Sequence, residues 1–132
     1  MNNRIEIIGL NGMPEVSAGM DLGRLILDLS KRQCVTIVSG DILVIKQKIV
    51  SKAEDRLVDL NGISPSDLAL RIANSAGKDP RQIEMVLRET KRIVKMDMGH
   101  IISETHHGIV CANAGVDTSN VGTHDMVCLL PQ

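Results

Sequence analysis

The chain has 132 residues, a formal net charge of −1 and no Phe, Tyr or Trp. That length predicts one domain with a modest core, built from Leu, Ile, Val, Ala and gap-filling Met. Near-neutral charge and the lack of stacking aromatics exclude a nucleic-acid-binding groove.

The first predicted element is a strand over Arg4–Leu10, where Ile5, Ile7 and Leu10 alternate with polar or smaller residues. It empties into a turn-rich loop, 11-NGMPEVSAG-19. Asp21 is placed to cap a helix with Leu22, Leu25, Ile26 and Leu29 on one face, ending near Lys31, Arg32 and Gln33. Gly40-Asp41 predicts a turn into a β-branched strand, ILVIKQKIV, covering 42–50. On such a strand Lys46 and Lys48 share one side and Gln47 takes the other, with Lys52 beyond. By themselves these lysines read first as a solvated cluster, with an anion site as the alternative.

Ser64-Pro65 predicts a capped helix start, with Leu68, Ile72 and Ala76 as the buried line and Gly77 as terminator. Asp79-Pro80-Arg81-Gln82 repeats the device, and Ile83, Val86 and Leu87 should face the core. Arg81, Arg88, Arg92 and Lys95 fall roughly along another face, which reads first as solvated, with an anion track as the alternative. The stretch 100-HIISETHHGIV-110 predicts a β-hairpin, and VCLLPQ closes the chain as a short strand. His106 and His107 are adjacent, so on a strand they point oppositely and cannot grip one metal.

The chain centres on 107-HGIVCANAGVDTSNVG-122. Ile109, Val110 and Cys111 read as a short buried strand that opens into Asn113, Gly115, Asp117, Thr118, Ser119, Asn120 and Gly122. Small oxygen-bearing residues after a strand deliver amides and carboxylates to an anion or a metal, or simply make a polar turn. Asp117 is a hard oxygen donor suited to Mg2+ or Mn2+, and Asn120 can hydrogen-bond a base, ribose or phosphate edge.

Cys34, Cys111 and Cys128 are odd in number and lack any CxxC spacing. They read as reduced, mostly buried thiols of a cytoplasmic protein. No apolar run approaches a membrane span, and the N-terminus lacks a signal-peptide core. Walker, dinucleotide and nucleophile-elbow motifs are all missing, so no covalent catalytic residue is expected.

Several segments in order resemble the coenzyme F420-0:L-glutamate ligase family: GLNGMPEV, IVSKAEDR, GKDPRQIEMVLRE and HG-IV-CANAGVDTSNV, closed by LLP. The resemblance extends from residue 4 to residue 131. It implies an α+β fold, a mixed β-sheet with flanking helices, in a single domain over 1–132 that resembles the N-terminal half of the family. It implies a GTP-dependent ligase that adds L-glutamate to coenzyme F420-0 through an acyl phosphate, with Mg2+ or Mn2+ and a K+-type monovalent ion. Residues aligned with GTP contacts are Met13, Pro14, Glu15, Val16, Gln47, Lys48, Lys52 and Asn120; Asp117 aligns with a metal ligand. A homodimer is implied, and so is a C-terminal half with further metal ligands, which this sequence lacks, so the expectation is either a truncated chain or one completed by a second polypeptide. The competing expectation is a non-catalytic nucleotide- or metal-binding or structural remnant. Two positions depart from the family pattern: Met20 replaces an acidic residue, and Asp55 stands where Gly is usual.

Overall fold

The computed structural model describes residues 4–118 and 125–132. In chain order the helices and strands are α1 (Leu22–Arg32), α2 (Gln47–Ala53), β1 (Leu57–Asp59), α3 (Asp67–Ala76), α4 (Pro80–Arg88), β2 (Thr90–Asp97), β3 (His100–Thr105), β4 (Val110–Ala112) and β5 (Met126–Cys128). The expected α+β class holds. β1 pairs with β5, while β2, β3 and β4 form a second sheet in that order, and every pairing is antiparallel. Among the described residues no helix is long and apolar enough to cross a membrane.

Helix starts follow their caps. Asp21 accepts the Arg24 N–H at 2.9 Å, and Asp79 accepts the Arg81 N–H at 2.8 Å with Pro80 in the first turn. For α3 the cap is Ser66, not Ser64: its Oγ accepts the Ala69 N–H at 3.3 Å. The Ser66 N–H donates in turn to the Glu84 carboxylate at 2.9 Å, which ties the start of α3 to α4. The buried line is Ala69, Ile72 and Ala73, not Leu68, Ile72 and Ala76, and Leu68 is left 43% exposed. Gly77 closes α3 in the left-handed conformation, as expected.

Those α3 residues meet Ile83 and Val86 of α4, Ile101 of β3 and Ala114 in one apolar cluster. Leu60, Met85, Val127 and Leu129 form a second, so α4 is shared between the two sheets. Burying one such Ile, Leu or Val side chain stabilises the fold by about 1.5–3 kcal/mol.

Three strand expectations and one helix expectation change. Residues 4–10 form no strand, and Ile5 and Ile7 are 91% and 92% exposed. The run 42–50 forms no strand: 42–46 are irregular and α2 begins at Gln47, so Lys48 and Gln47 sit on a helix. Helix α4 stops at Arg88, and Arg92 and Lys95 lie on β2, not on a helix face; β-branched Thr90, Ile93 and Val94 suit the strand, whose partner is β3. β4 is an edge strand, so Ile109 and Val110 remain exposed. His106 and His107 lie in the turn before it, where Gly108 has φ +80°. Of the thiols only Cys128 is buried; Cys111 is half-buried and Cys34 exposed.

Candidate functional site

The geometry begins with the turn after β4. Asn113, Ala114 and Gly115 have φ of +52°, +50° and +73° in succession. Left-handed backbone is costly for residues with a Cβ, and here buried Ala114 holds it within the core. At Gly115 a Cβ would lie 2.5 Å from Leu130 Cγ, so both its φ and the packing demand glycine. The turn brings Asp117 against Cys128. Their backbones exchange two hydrogen bonds, of 2.9 and 2.8 Å, and the Asp117 side chain is left 39% exposed.

Helix α2 approaches the same strand end. The Ser51 hydroxyl donates to the Leu129 carbonyl at 2.7 Å, and Gln47 Nε2 donates to that carbonyl at 3.2 Å. Lys48 then meets Asp117, Nζ to Oδ2 at 2.9 Å. Lys52 is one turn further along the same face and pairs with Glu15 of the opening loop. The loop is fastened to the end of α2 by the Gly19 N–H, which donates to the Ala53 carbonyl at 2.8 Å. Val16 is buried, Met13 half-buried, and Pro14 and Glu15 exposed. Asp55, with φ +56°, makes the left-handed exit from α2 at the position where the family pattern has Gly.

The fold therefore gathers Glu15, Gln47, Lys48, Lys52 and Asp117 around α2 and the end of β5, with Met13, Pro14 and Val16 in the adjoining loop. Asn120 lies outside the described residues. Sequence reasoning missed Ser51, which is fully buried, and Arg56, which donates to the Leu130 carbonyl at 2.8 Å and pairs with Glu89 at 2.7 Å. Ser51 accepts from Gln47 one turn away, but the carbonyls and carboxylate that fix Ser51 and Arg56 in the fold are more than 30 residues distant, beyond any local pattern. On the side of Thr118, an open depression of about 430 Å3 is lined by Lys78, Asp79, Gln82, Asn113 and Val116, among others.

Two lysines one helical turn apart lie on one face of α2, each paired with a carboxylate. Asp117 supplies one hard oxygen beside it. Among the described residues no three His, Cys, Asp or Glu side chains cluster as a metal cage. The donor set suits a hydrated Mg2+ or Mn2+ shared with a phosphate, which takes only one or two carboxylates from the protein.

Residues 12–132 match the family described as F420-0:Gamma-glutamyl ligase. The chain belongs to the F420-0:gamma-glutamyl ligase family. It is 47% identical over 117 residues to the coenzyme F420:L-glutamate ligase of Methanothermobacter thermautotrophicus, covering 89% of this chain and 46% of that protein. Ligases of the same name from Methanocaldococcus jannaschii and Methanopyrus kandleri are 41% and 44% identical, over 89% of this chain and 45% and 44% of their own lengths. The chain thus spans about half the length of the curated relatives it matches. Within this family member, the matched residues include the α2 lysines, Asp117 and the glycine-dependent turn.

Proposed function

We propose that this chain forms the nucleotide-phosphate part of a GTP-dependent ligase that joins L-glutamate to coenzyme F420-0. The observation that carries the reading is the convergence of Lys48, Lys52, Glu15 and Asp117 from three separate segments of a family member. In this reading Lys48 and Lys52 hold the β- and γ-phosphates and offset charge that builds up during transfer. The opening loop, Met13 to Val16, lies along the nucleotide, with Gln47 and Asn120 as further contacts. Asp117 would hold a divalent ion, Mg2+ or Mn2+, whose charge neutralises the phosphates; a K+-type ion belongs to the same proposal.

A carboxylate oxygen of F420-0 attacks the γ-phosphorus and GDP leaves. The glutamate amine then attacks the acyl phosphate carbon, phosphate departs and the amine gives up a proton. The protein's share is positioning and charge, which is why no nucleophilic side chain is needed. Further oxygen donors would come from a second polypeptide region, in the same chain or a separate one. A homodimer in the cytoplasm is part of this proposal.

A second reading, nucleotide binding without turnover, is favoured by the small donor set around Asp117 among the described residues. Incubation of the chain with F420-0, L-glutamate, GTP and Mn2+, followed by mass spectrometry, tests the proposal. Glutamate-extended product and GDP in equal amounts support the ligase. GTP binding with no product, even when the rest of a full-length relative is added, supports the second reading.

A further inference from the structure

We infer that Ser51 is a positioning residue for this site: it sets the rotational phase of α2, and so aims Lys48 at Asp117. Helix α2 has seven residues and no side-chain cap on its first turn. A helix so short has little stability of its own, and tertiary ties decide where its faces point. Ser51 supplies the tie from a fully buried position, by its 2.7 Å bond to the Leu129 carbonyl. Gln47, one turn earlier, braces it by donating both to the same carbonyl and to the Ser51 hydroxyl oxygen.

Leu129 directly follows Cys128, the residue whose backbone holds Asp117 by two hydrogen bonds. Both partners of the Lys48–Asp117 pair are therefore referenced to consecutive residues of one strand end. Lys48 is three residues before Ser51, so any turn of α2 about its axis carries the ammonium away from the carboxylate. Ser51 itself is shut off from solvent and acts only through this linkage.

Ser103 gives a matched control. It too is fully buried, but its hydroxyl has no hydrogen-bond partner among the described residues, and it lies on β3 away from α2. Ser51→Ala and Ser103→Ala remove the same atom from equally buried places. The experiment compares the Lys48 side-chain ammonium resonance, by 15N NMR, and the affinity for Mg–GTP, by calorimetry. The affinity arm rests on the proposed nucleotide site; the resonance arm does not.

Ser51→Ala should move the Lys48 resonance toward that of a solvated lysine and weaken Mg–GTP about fivefold, the scale of one hydrogen bond. Ser103→Ala should change neither. An unmoved Lys48 resonance in Ser51→Ala, or an equal movement in Ser103→Ala, overturns the inference. A moved resonance in a protein that binds no GTP supports the positioning role and removes the nucleotide reading. Should Ser51→Ala not fold, Gln47→Leu loses its bonds to that carbonyl and to the Ser51 hydroxyl and should move the Lys48 resonance in the same direction; no movement there counts against the inference.

Discussion

The body around α3, α4 and the two sheets and the irregular segments at 4–10 and 42–46 are built from similar residues with opposite outcomes. Ile101 and Val127 are completely buried, whereas Ile7 and Val44 are both 92% exposed. All four stand in stretches that read as strands. The difference is a partner: β3 lies between β2 and β4 and under α3 and α4, while the two irregular segments pair with no strand among the described residues. Alternation and β-branching make a segment ready to be a strand, and pairing makes it one.

The largest effect should come from breaking the packed side of this contrast. Ile101→Ala deletes a fully buried side chain where α3, α4 and β3 meet, and should cost about 2–5 kcal/mol by denaturant unfolding. A cost under about 1 kcal/mol would show that the cluster is not the core. Gly115→Ala comes next, at about 1–3 kcal/mol, because left-handed strain and the Leu130 clash add. Its thermal melt should fall together with metal or nucleotide affinity, since the same turn presents Asp117.

Acid sharpens the comparison more gently. Backbone and side-chain hydrogen bonds from Ser66, then Arg88, hold the Glu84 carboxyl below its usual value of 4.5. The Arg81 guanidinium similarly holds Asp79 below 3.8. Each binds fewer protons folded than unfolded, so its contribution is complete above the unfolded value and drains away as pH falls toward the folded one. Stability should therefore decline below about pH 4.5, and Glu84→Gln should flatten part of that decline in melts recorded from pH 6 to pH 3. Identical pH curves for the two proteins would contradict the assignment. The smallest effect belongs to the exposed side: Ile7→Ser should leave stability within about 0.5 kcal/mol, and a larger loss would mean that segment is packed after all.

How much the sequence disclosed follows the same line. The starts of α1 and α4 were legible because Asp21 and Asp79 act on N–H groups two or three residues away. The start of α3 was misplaced because two serines flank Pro65, and the Glu84 carboxylate that favours Ser66 is 18 residues distant. α2 was illegible: its sequence continues a β-branched run, and the Leu129 carbonyl that captures Ser51 is 78 residues away. The site residues came from co-linear family motifs, and the fold brings five of them together around a helix that was expected to be a strand. Their side chains could be named without knowing the element that carries them.

The central claim is that Lys48 and Asp117 belong to one phosphate- and metal-binding site. Calorimetric titration of wild type, Lys48→Ala and Asp117→Asn with GTP, in Mg2+ and in EDTA, tests it most directly. The account predicts that Lys48→Ala weakens GTP by about 1–3 kcal/mol with or without Mg2+, the scale for a lost charge-assisted contact. It predicts that Asp117→Asn removes only the gain that Mg2+ brings. Equal GTP affinities for all three proteins in both conditions would contradict it, and would reduce the Lys48–Asp117 pair to a tie between α2 and the end of β5.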